Sequence, residues 1–411
     1  MKRIRDRVAG LDVHRDQVTA CVRVVESGEV VEDKQRFSTT ASGLAALGRW
    51  LADHGVTTVA MEATGVYWKP VYYALEGLFD ELWLCNASHV RNVPGRKTDV
   101  SDAQWLADVV AHGMVRASFV PPPEIREIRE LTRHRKRLID ERGREIQRLE
   151  KLLQDACVKL TSVASKVWSQ SSRAMIEALI AGERDPVVLA GLAKGRMRSK
   201  TDALTEALVA NWKDYHSLIA GQIIAHIDFL DDTIETVSAQ IAERVSPFEE
   251  LIDRMCEVPG VNRRTCEVVI AECGVDMTTF PTPAQLCAWA GVAPANHESA
   301  GKRRPAGTRN GSRWLRRCLI ETARAAARTK NTYLAAQYRH IARRRGPNKA
   351  AVAVAHSILI ILWHIMANPD LRYQDLGPDW FQRRHDPERQ AQRLLRQLTD
   401  LGYTVTLTPA A

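Results

Sequence analysis

Two hydrophobic rhythms run along this chain of 411 residues, and one gives way to the other near residue 120. Before that point apolar positions alternate or come in short runs. Residues 8–13 and 17–25 read as a strand hairpin opening a mixed sheet, 56–61 as a buried strand and 81–85 as a further one. Between them Leu44, Leu47, Trp50 and Leu51 keep helical spacing over 43–54, and a second helix is predicted over 66–78. Pro121, Pro122 and Pro123 then end the first globular unit. Beyond them the spacing is three and four. Ile139, Ile146, Leu149, Leu153 and Ala156 predict a long helix over 124–160 with a narrow, coiled-coil-like seam. Ile219, Ile223, Ile227, Leu230, Ile234, Val237, Ile241 and Val245 predict another over 204–245. So regular a seam requires a partner, either helix 124–160 folding back or the same helix of a second subunit. After Pro247 come helices over 264–273, 280–291 and 350–366. The pattern divides the chain into an α/β unit (1–123), a long-helix, coiled-coil region (124–246, including a helical connector at 162–211), a small all-α domain (247–368) and a tail (369–411).

Charge narrows the choice of partner. The formal net charge of +9 points to a polyanion, most simply nucleic acid. The eight cysteines form no CxxC pair and read as buried thiols of a reducing compartment. No secretory signal is expected at the start. The most apolar stretch, 350–366, is interrupted by His356 and His364 and is expected to be a buried helix too short to span a membrane.

Four acids carry the first candidate chemistry. The segment RNVPGRKTDVSDAQWLA (91–107) places basic Arg96 and Lys97 before Asp99 and Asp102. Three residues on a helix are nearly one turn, so these two carboxylates face the same way. Like charges so placed repel, and a divalent cation reverses the sign of that energy. The alternative is plain capping, with Asp99 as N-cap and Asp102 at the third helical position. Asp12 lies in the first apolar strand, where a carboxylate is costly unless paired or metal-bound. Glu62 ends strand 56–61. Asp12, Glu62, Asp99 and Asp102 in this order resemble the RNase H-like fold of RuvC type, whose DEDD acids hold two Mg²⁺ ions, with Mn²⁺ able to substitute. Asp16 and Asp108 stand nearby as spares.

Basic clusters carry the rest. Arg129, Arg133, Arg135, Lys136, Arg137, Arg142 and Arg144 either track a phosphate backbone or pair with Glu127, Glu130 and Glu141. Lys194 to Lys200 forms a second basic cluster, and Val258-Pro-Gly-Val261 reads as a helix-hairpin-helix turn or an ordinary one. In NHESAGKRR (296–304) and GTRNGSRWLRR (307–317) a small polar loop carries Ser299 among Lys302, Arg303, Arg304, Arg309, Arg313, Arg316 and Arg317. Such a serine can hydrogen-bond a phosphate, cap a turn, or attack a phosphodiester with guanidinium help.

Taken together, GLDVH, MEATGVYW, KTDVSDAQWLA, VPGV, WAGVAPANHESAGKRR and NGSRWLRR resemble the insertion-sequence 110 (IS110) family of transposases over most of the chain, least in 162–211 and after 370. The resemblance implies a RuvC-like DEDD domain, a coiled-coil region and a C-terminal transposase domain in which Ser299 is the nucleophile. It also implies donor and target DNA as substrates and a structured bridge RNA as guide. A homodimer or tetramer is expected, with Ser299 close to the acids in the DNA-bound assembly, in a bacterial, cytoplasmic, nucleoid-associated enzyme. Ser312 stands where many relatives carry Asn and is expected to cap the helix that follows. The competing functions are a metal-dependent, junction-resolvase-like nuclease that uses water, and a non-catalytic nucleic-acid scaffold.

Overall fold

The computed structural model describes residues 4–406 apart from 27, 64, 92, 94–100, 297, 300, 304–306, 384–386 and 405; Ser299 and Arg303 are described by their backbone. The chain forms two compact units, Met1–Val120 and Pro121–Ala411.

The first unit runs β1 (Arg7–Val13), β2 (Gln17–Glu26), β3 (Glu29–Ser38), α1 (Ala41–Asp53), β4 (Thr58–Glu62), α2 (Trp68–Leu75), β5 (Glu81–Cys85), a turn of helix α3 (Ala87–Arg91) and α4 (Asp102–Ala111). The strands form one sheet in the order β3-β2-β1-β4-β5. The first three are antiparallel, and β1, β4 and β5 are parallel. This mixed sheet is consistent with a DEDD, RuvC-like domain. No hydrophobic pattern announces β3, because Phe37 is its one buried residue and no alternation shows. It forms an edge, and its charged side chains discourage further pairing. The central strands are covered on both faces. Ala9, Leu11, Val59 and Met61 pack with α1 and α2, whereas Val8, Ala60 and Cys85 pack with α4.

Gly10 sets how closely α4 approaches. A Cβ there would sit 2.1 Å from the Ala103 carbonyl oxygen and 2.6 Å from the Ala107 nitrogen, so the helix lies directly on the strand. The far end of α4 is tied to the start of the unit, where the Ile4 and Arg5 amides donate to Ala111 O at 2.9 and 3.2 Å. Helix α4 therefore runs antiparallel to β1 and points its N-terminus toward Asp12. Its cap is Ser101, which accepts from the Gln104 amide, so Asp102 is the first helical residue rather than the third.

The second unit is mostly helical. It runs α5 (Pro123–Asp155), α6 (Leu160–Val163), α7 (Gln170–Ile180), α8 (Pro186–Gly191), α9 (Thr201–Ala207), α10 (Asp214–Val245), α11 (Glu249–Cys256), α12 (Arg263–Cys273), α13 (Pro283–Trp289), a ribbon β6 (Glu298–Ser299) and β7 (Lys302–Arg303), then α14 (Arg313–Ala326), α15 (Tyr333–Arg345) and α16 (Pro347–Ala367). The ribbon is a departure from the all-α expectation, since two-residue polar strands leave no hydrophobic pattern to read.

Helices α5 and α10 are antiparallel partners. Tyr215 Oη donates to Asp155 at 3.1 Å at one end, Leu138 packs with Leu230 and Ile234 in the middle, and Arg244 reaches Glu127 at 3.4 Å at the other end. Helix α10 starts ten residues later than expected. Backbone bonds from Lys159 to Ala207 (2.8 Å) and from Asn211 to Ala156 (2.9 Å) fold the chain over the end of α5, and neither Gly nor Pro marks that turn. The early seam shifts with it: Ala220 and Ile224 are buried, while Ile219 is 39% exposed.

The cations of α5 are mostly used internally. Arg129 donates to the Ala271 and Glu272 carbonyls at 2.9 and 2.6 Å, capping α12. Arg133 forks onto Glu272 at 2.7 and 2.8 Å, Arg135 pairs with buried Glu267, and Arg142 pairs with Asp231. These side chains hold helices together rather than lie along a phosphate backbone. Cys157 and Cys256 are exposed, contrary to the expectation of buried thiols. Cys157 follows the end of α5 in the left-handed region (φ 65), a turn position that faces solvent. Helix α16 has 21 residues and is long and apolar enough to cross a membrane, so the expectation that it falls short of a span is corrected. It packs against α11, α13, α14 and α15 with nine residues buried, because it supplies the core of this end of the unit.

Candidate active site

The carboxyl ends of the parallel strands carry the acids. The β1–β4 register, with Leu11 opposite Met61, continues by one step to put Asp12 beside Glu62. Val8, Gly10 and Asp12 alternate onto the face that α4 covers, as do Ala60 and Glu62. Asp102, the first residue of α4, completes the approach from above. Three predicted acids thus stand toward the same end of one face of the sheet. Asp99, Arg96 and Lys97 lie outside the described residues.

The Asp12 side chain is 31% exposed, and Oδ2 meets His14 Nε2 at 3.2 Å. His14 stands two residues from Asp12, and that offset on an extended chain puts the two side chains on the same face. Glu62 is half-buried opposite Cys85, and burial followed by the Glu62 charge pushes that thiol up to about 12. The spare acids are used elsewhere: Asp16 pairs with Arg15, and Asp108 takes Arg23 at 2.9 Å. The donors at the sheet end are carboxylate oxygens, and carboxylates side by side on neighbouring strands fit a hard divalent cation. Among the described residues no group of three His, Cys, Asp or Glu side chains stands close enough together to hold a metal ion.

Ser299 lies on β6, paired with Lys302 across a two-residue turn in which Gly301 takes φ +73. Only a residue tolerating that region closes so tight a hairpin. Pro294 bridges Thr308, and the Ala295 amide donates to Gly307 O at 2.9 Å, so the legs of the loop stay together. They cross at Gly291 and Gly311, where a Cβ on Gly311 would fall 2.3 Å from the Gly291 nitrogen. Lys302 and Arg309 are exposed, Arg303 lies on β7, and Arg304 is outside the described residues. Arg313 is exposed at the start of α14, and Arg316 is half-buried one turn on. Arg317 forks onto Asp140 at 2.8 and 2.9 Å, which ties α14 to α5. Ser312 caps α14 by accepting from the Leu315 amide, and its hydroxyl donates to Glu272 at 2.9 Å.

Two family models match this chain in succession. A transposase model named for the DEDD acids and IS110 covers residues 9–158, and the IS116/IS110/IS902 transposase family model covers residues 252–339. The chain belongs to the IS110 family of transposases. The transposase for insertion sequence element IS1111A of Coxiella burnetii is 25% identical over 372 residues, which are 89% of this chain and 90% of that protein. A "probable family 20 transposase" of Pseudomonas aeruginosa is 28% identical over 186 residues, 43% of this chain and 54% of the relative. This transposase therefore acts on DNA, cutting and rejoining it as its family does. The acids Asp12, Glu62, Asp99 and Asp102 fall within the first matched segment, and the Ser299 hairpin falls within the second.

Proposed function

We propose that this transposase exchanges DNA strands through a phosphoserine intermediate. The observation that supports the reading is the placement of Asp12, Glu62 and Asp102 toward the α4-covered end of the sheet. These acids, with Asp99, would hold Mg²⁺ or Mn²⁺, and a bound cation would supply charge neutralisation at the scissile phosphate. Ser299 Oγ attacks phosphorus and gives its proton to a solvent base. One P–O bond of the DNA breaks, and the departing sugar oxygen takes up a proton. The phosphoserine ester keeps the energy of the phosphodiester, so attack by a new sugar hydroxyl restores DNA and frees the serine without net hydrolysis. Lys302, Arg303, Arg304 and Arg309 offset the charge growing on phosphate, while Arg96, Lys97, Arg313, Arg316 and Arg317 contact the nucleic-acid backbone. A structured bridge RNA chooses donor and target by base pairing, and two or four copies of the chain assemble. The family resemblance supports these last points, and the charge of +9 suits RNA and DNA alike.

A denaturing gel with end-labelled DNA tests the reading. Wild type gives a covalent protein–DNA adduct, Asp102→Asn gives no cleavage, and Ser299→Ala binds DNA but forms no adduct and no recombinant. Free cleaved ends from Ser299→Ala at the wild-type rate would replace it with a water-using nuclease.

A further inference from the structure

Apart from the Ser299 hairpin, the second unit holds an open cleft of about 530 Å³ between α5 and the start of α14. Its walls are Arg137, Arg144, Arg313, Arg317 and Trp314, with Asp140 and Glu141 as the acids. Asp140 is already engaged, taking Arg317 at 2.8 Å and Lys136 at 3.2 Å, and Glu141 faces His226 at 3.9 Å. Arg137, Arg144 and Arg313 are exposed and form no ion pair among the described residues. Their neighbours Arg133, Arg135 and Arg142 on the same helix are all paired. A helix that engages its other guanidiniums and leaves two of them beside a third has positive charge to spare at one place.

That place is built around an aromatic ring. The Trp314 indole is half-buried, with the guanidinium carbons of Arg313, Arg137 and Arg133 at 4.9, 5.5 and 5.9 Å from its centre. Trp314 also lies in the first turn of α14, whose amides favour an anion. A row of cations alone would suit the phosphates of any duplex. A partly open indole flanked by guanidiniums in a recess suits an unstacked base, which offers a flat face to the ring while its phosphates meet the charges. The recess lies within the roughly 300–1,000 Å³ that holds small ligands.

We propose that this cleft binds one unpaired nucleotide of a single-stranded nucleic acid, its base against Trp314 and its flanking phosphates on Arg137, Arg144 and Arg313. The proposal rests on the reading of the chain as a nucleic-acid enzyme and adds a strand-state preference that this reading does not require. The test is fluorescence anisotropy of the full-length protein with a labelled 12-nucleotide single-stranded DNA, the matching RNA, and a blunt duplex. For the single strands, Trp314→Ala weakens binding roughly tenfold or more, and Trp314→Phe restores most of it. The exposed pair Arg137→Ala/Arg144→Ala weakens single-strand binding and lowers the salt slope by about 1.4. Duplex affinity stays within twofold, and the DNA and RNA arms show which strand is preferred. Unchanged single-strand affinity in both the tryptophan and the arginine variants overturns the cleft, as does an equal loss for the duplex. Wild-type protein that binds none of the three probes overturns the cleft and the nucleic-acid reading together.

Discussion

At the scale of single residues, the positions that matter most are small. Gly10 has no chemistry, yet Asp102 reaches the level of Asp12 because α4 rests on the bare backbone there. Gly10→Ala drives a methyl group into the Ala103 carbonyl, and backbone cannot rotate away as a side chain can. The expected loss is about 1–3 kcal/mol, read by urea unfolding, together with a fall in strand cleavage. An unchanged midpoint would mean that α4 can lift without cost. Ser312 makes the complementary case. It caps α14 and hydrogen-bonds Glu272, which also receives Arg133. Ser312→Ala should cost about 1–2 kcal/mol yet still form the covalent adduct. Loss of the adduct in a folded Ser312→Ala protein would transfer the nucleophile's role away from Ser299. The cap was legible in the sequence, because a serine before an amphipathic helix announces itself. Gly10 was not, because a close approach between elements leaves no mark on either one.

Among elements, the sequence spoke clearly where a residue contradicted its surroundings. Asp12 and Glu62 stood out as acids in apolar strands, and β5 was readable to the residue because it is short and bounded. It was silent where partners come from far along the chain. The arginines of α5 could equally have met phosphate, since nothing local names Glu267 or Glu272, more than 130 positions away, as their partners. Edge strand β3 was hidden for a related reason, since Phe37 is its one buried residue and it does not alternate, and the strands of the ribbon around Ser299, two residues each, are too short to show a pattern. The buried pair gives a test of how α5 is held. Arg135 and Glu267 side chains are each 4% exposed and lie 2.7 Å apart. Arg135→Met leaves the buried Glu267 carboxylate only the longer contact with Arg263 at 3.4 Å and should cost about 3 kcal/mol, whereas adding Glu267→Leu should recover most of that loss. If the single and double variants unfold alike by chemical denaturation, the pair is not what fixes α12 on α5.

For the whole molecule, the proposed chemistry is split between the two units: acids in Met1–Val120, serine hairpin in Pro121–Ala411. A cation held by the acids would stabilise the first unit and leave the second alone, which makes melting a direct report on the site. At a hundredfold excess over Kd, the linkage is about 2.7 kcal/mol. For a unit this small, that is on the order of 10 °C in the transition it belongs to. Calorimetry with Mn²⁺ should therefore raise one of two transitions. The same experiment on Asp12→Asn separates a metal site from structural acids by sign. Neighbouring carboxylates on adjacent strands repel when no cation lies between them, so the amide should melt higher than wild type without metal. It should also lose the Mn²⁺ shift. If Asp12 instead served the fold through His14, the variant would melt lower in every condition. A lowered metal-free melting temperature with the Mn²⁺ shift intact would remove Asp12 from the site and, with it, the reason for reading the sheet end as the place where DNA is cut.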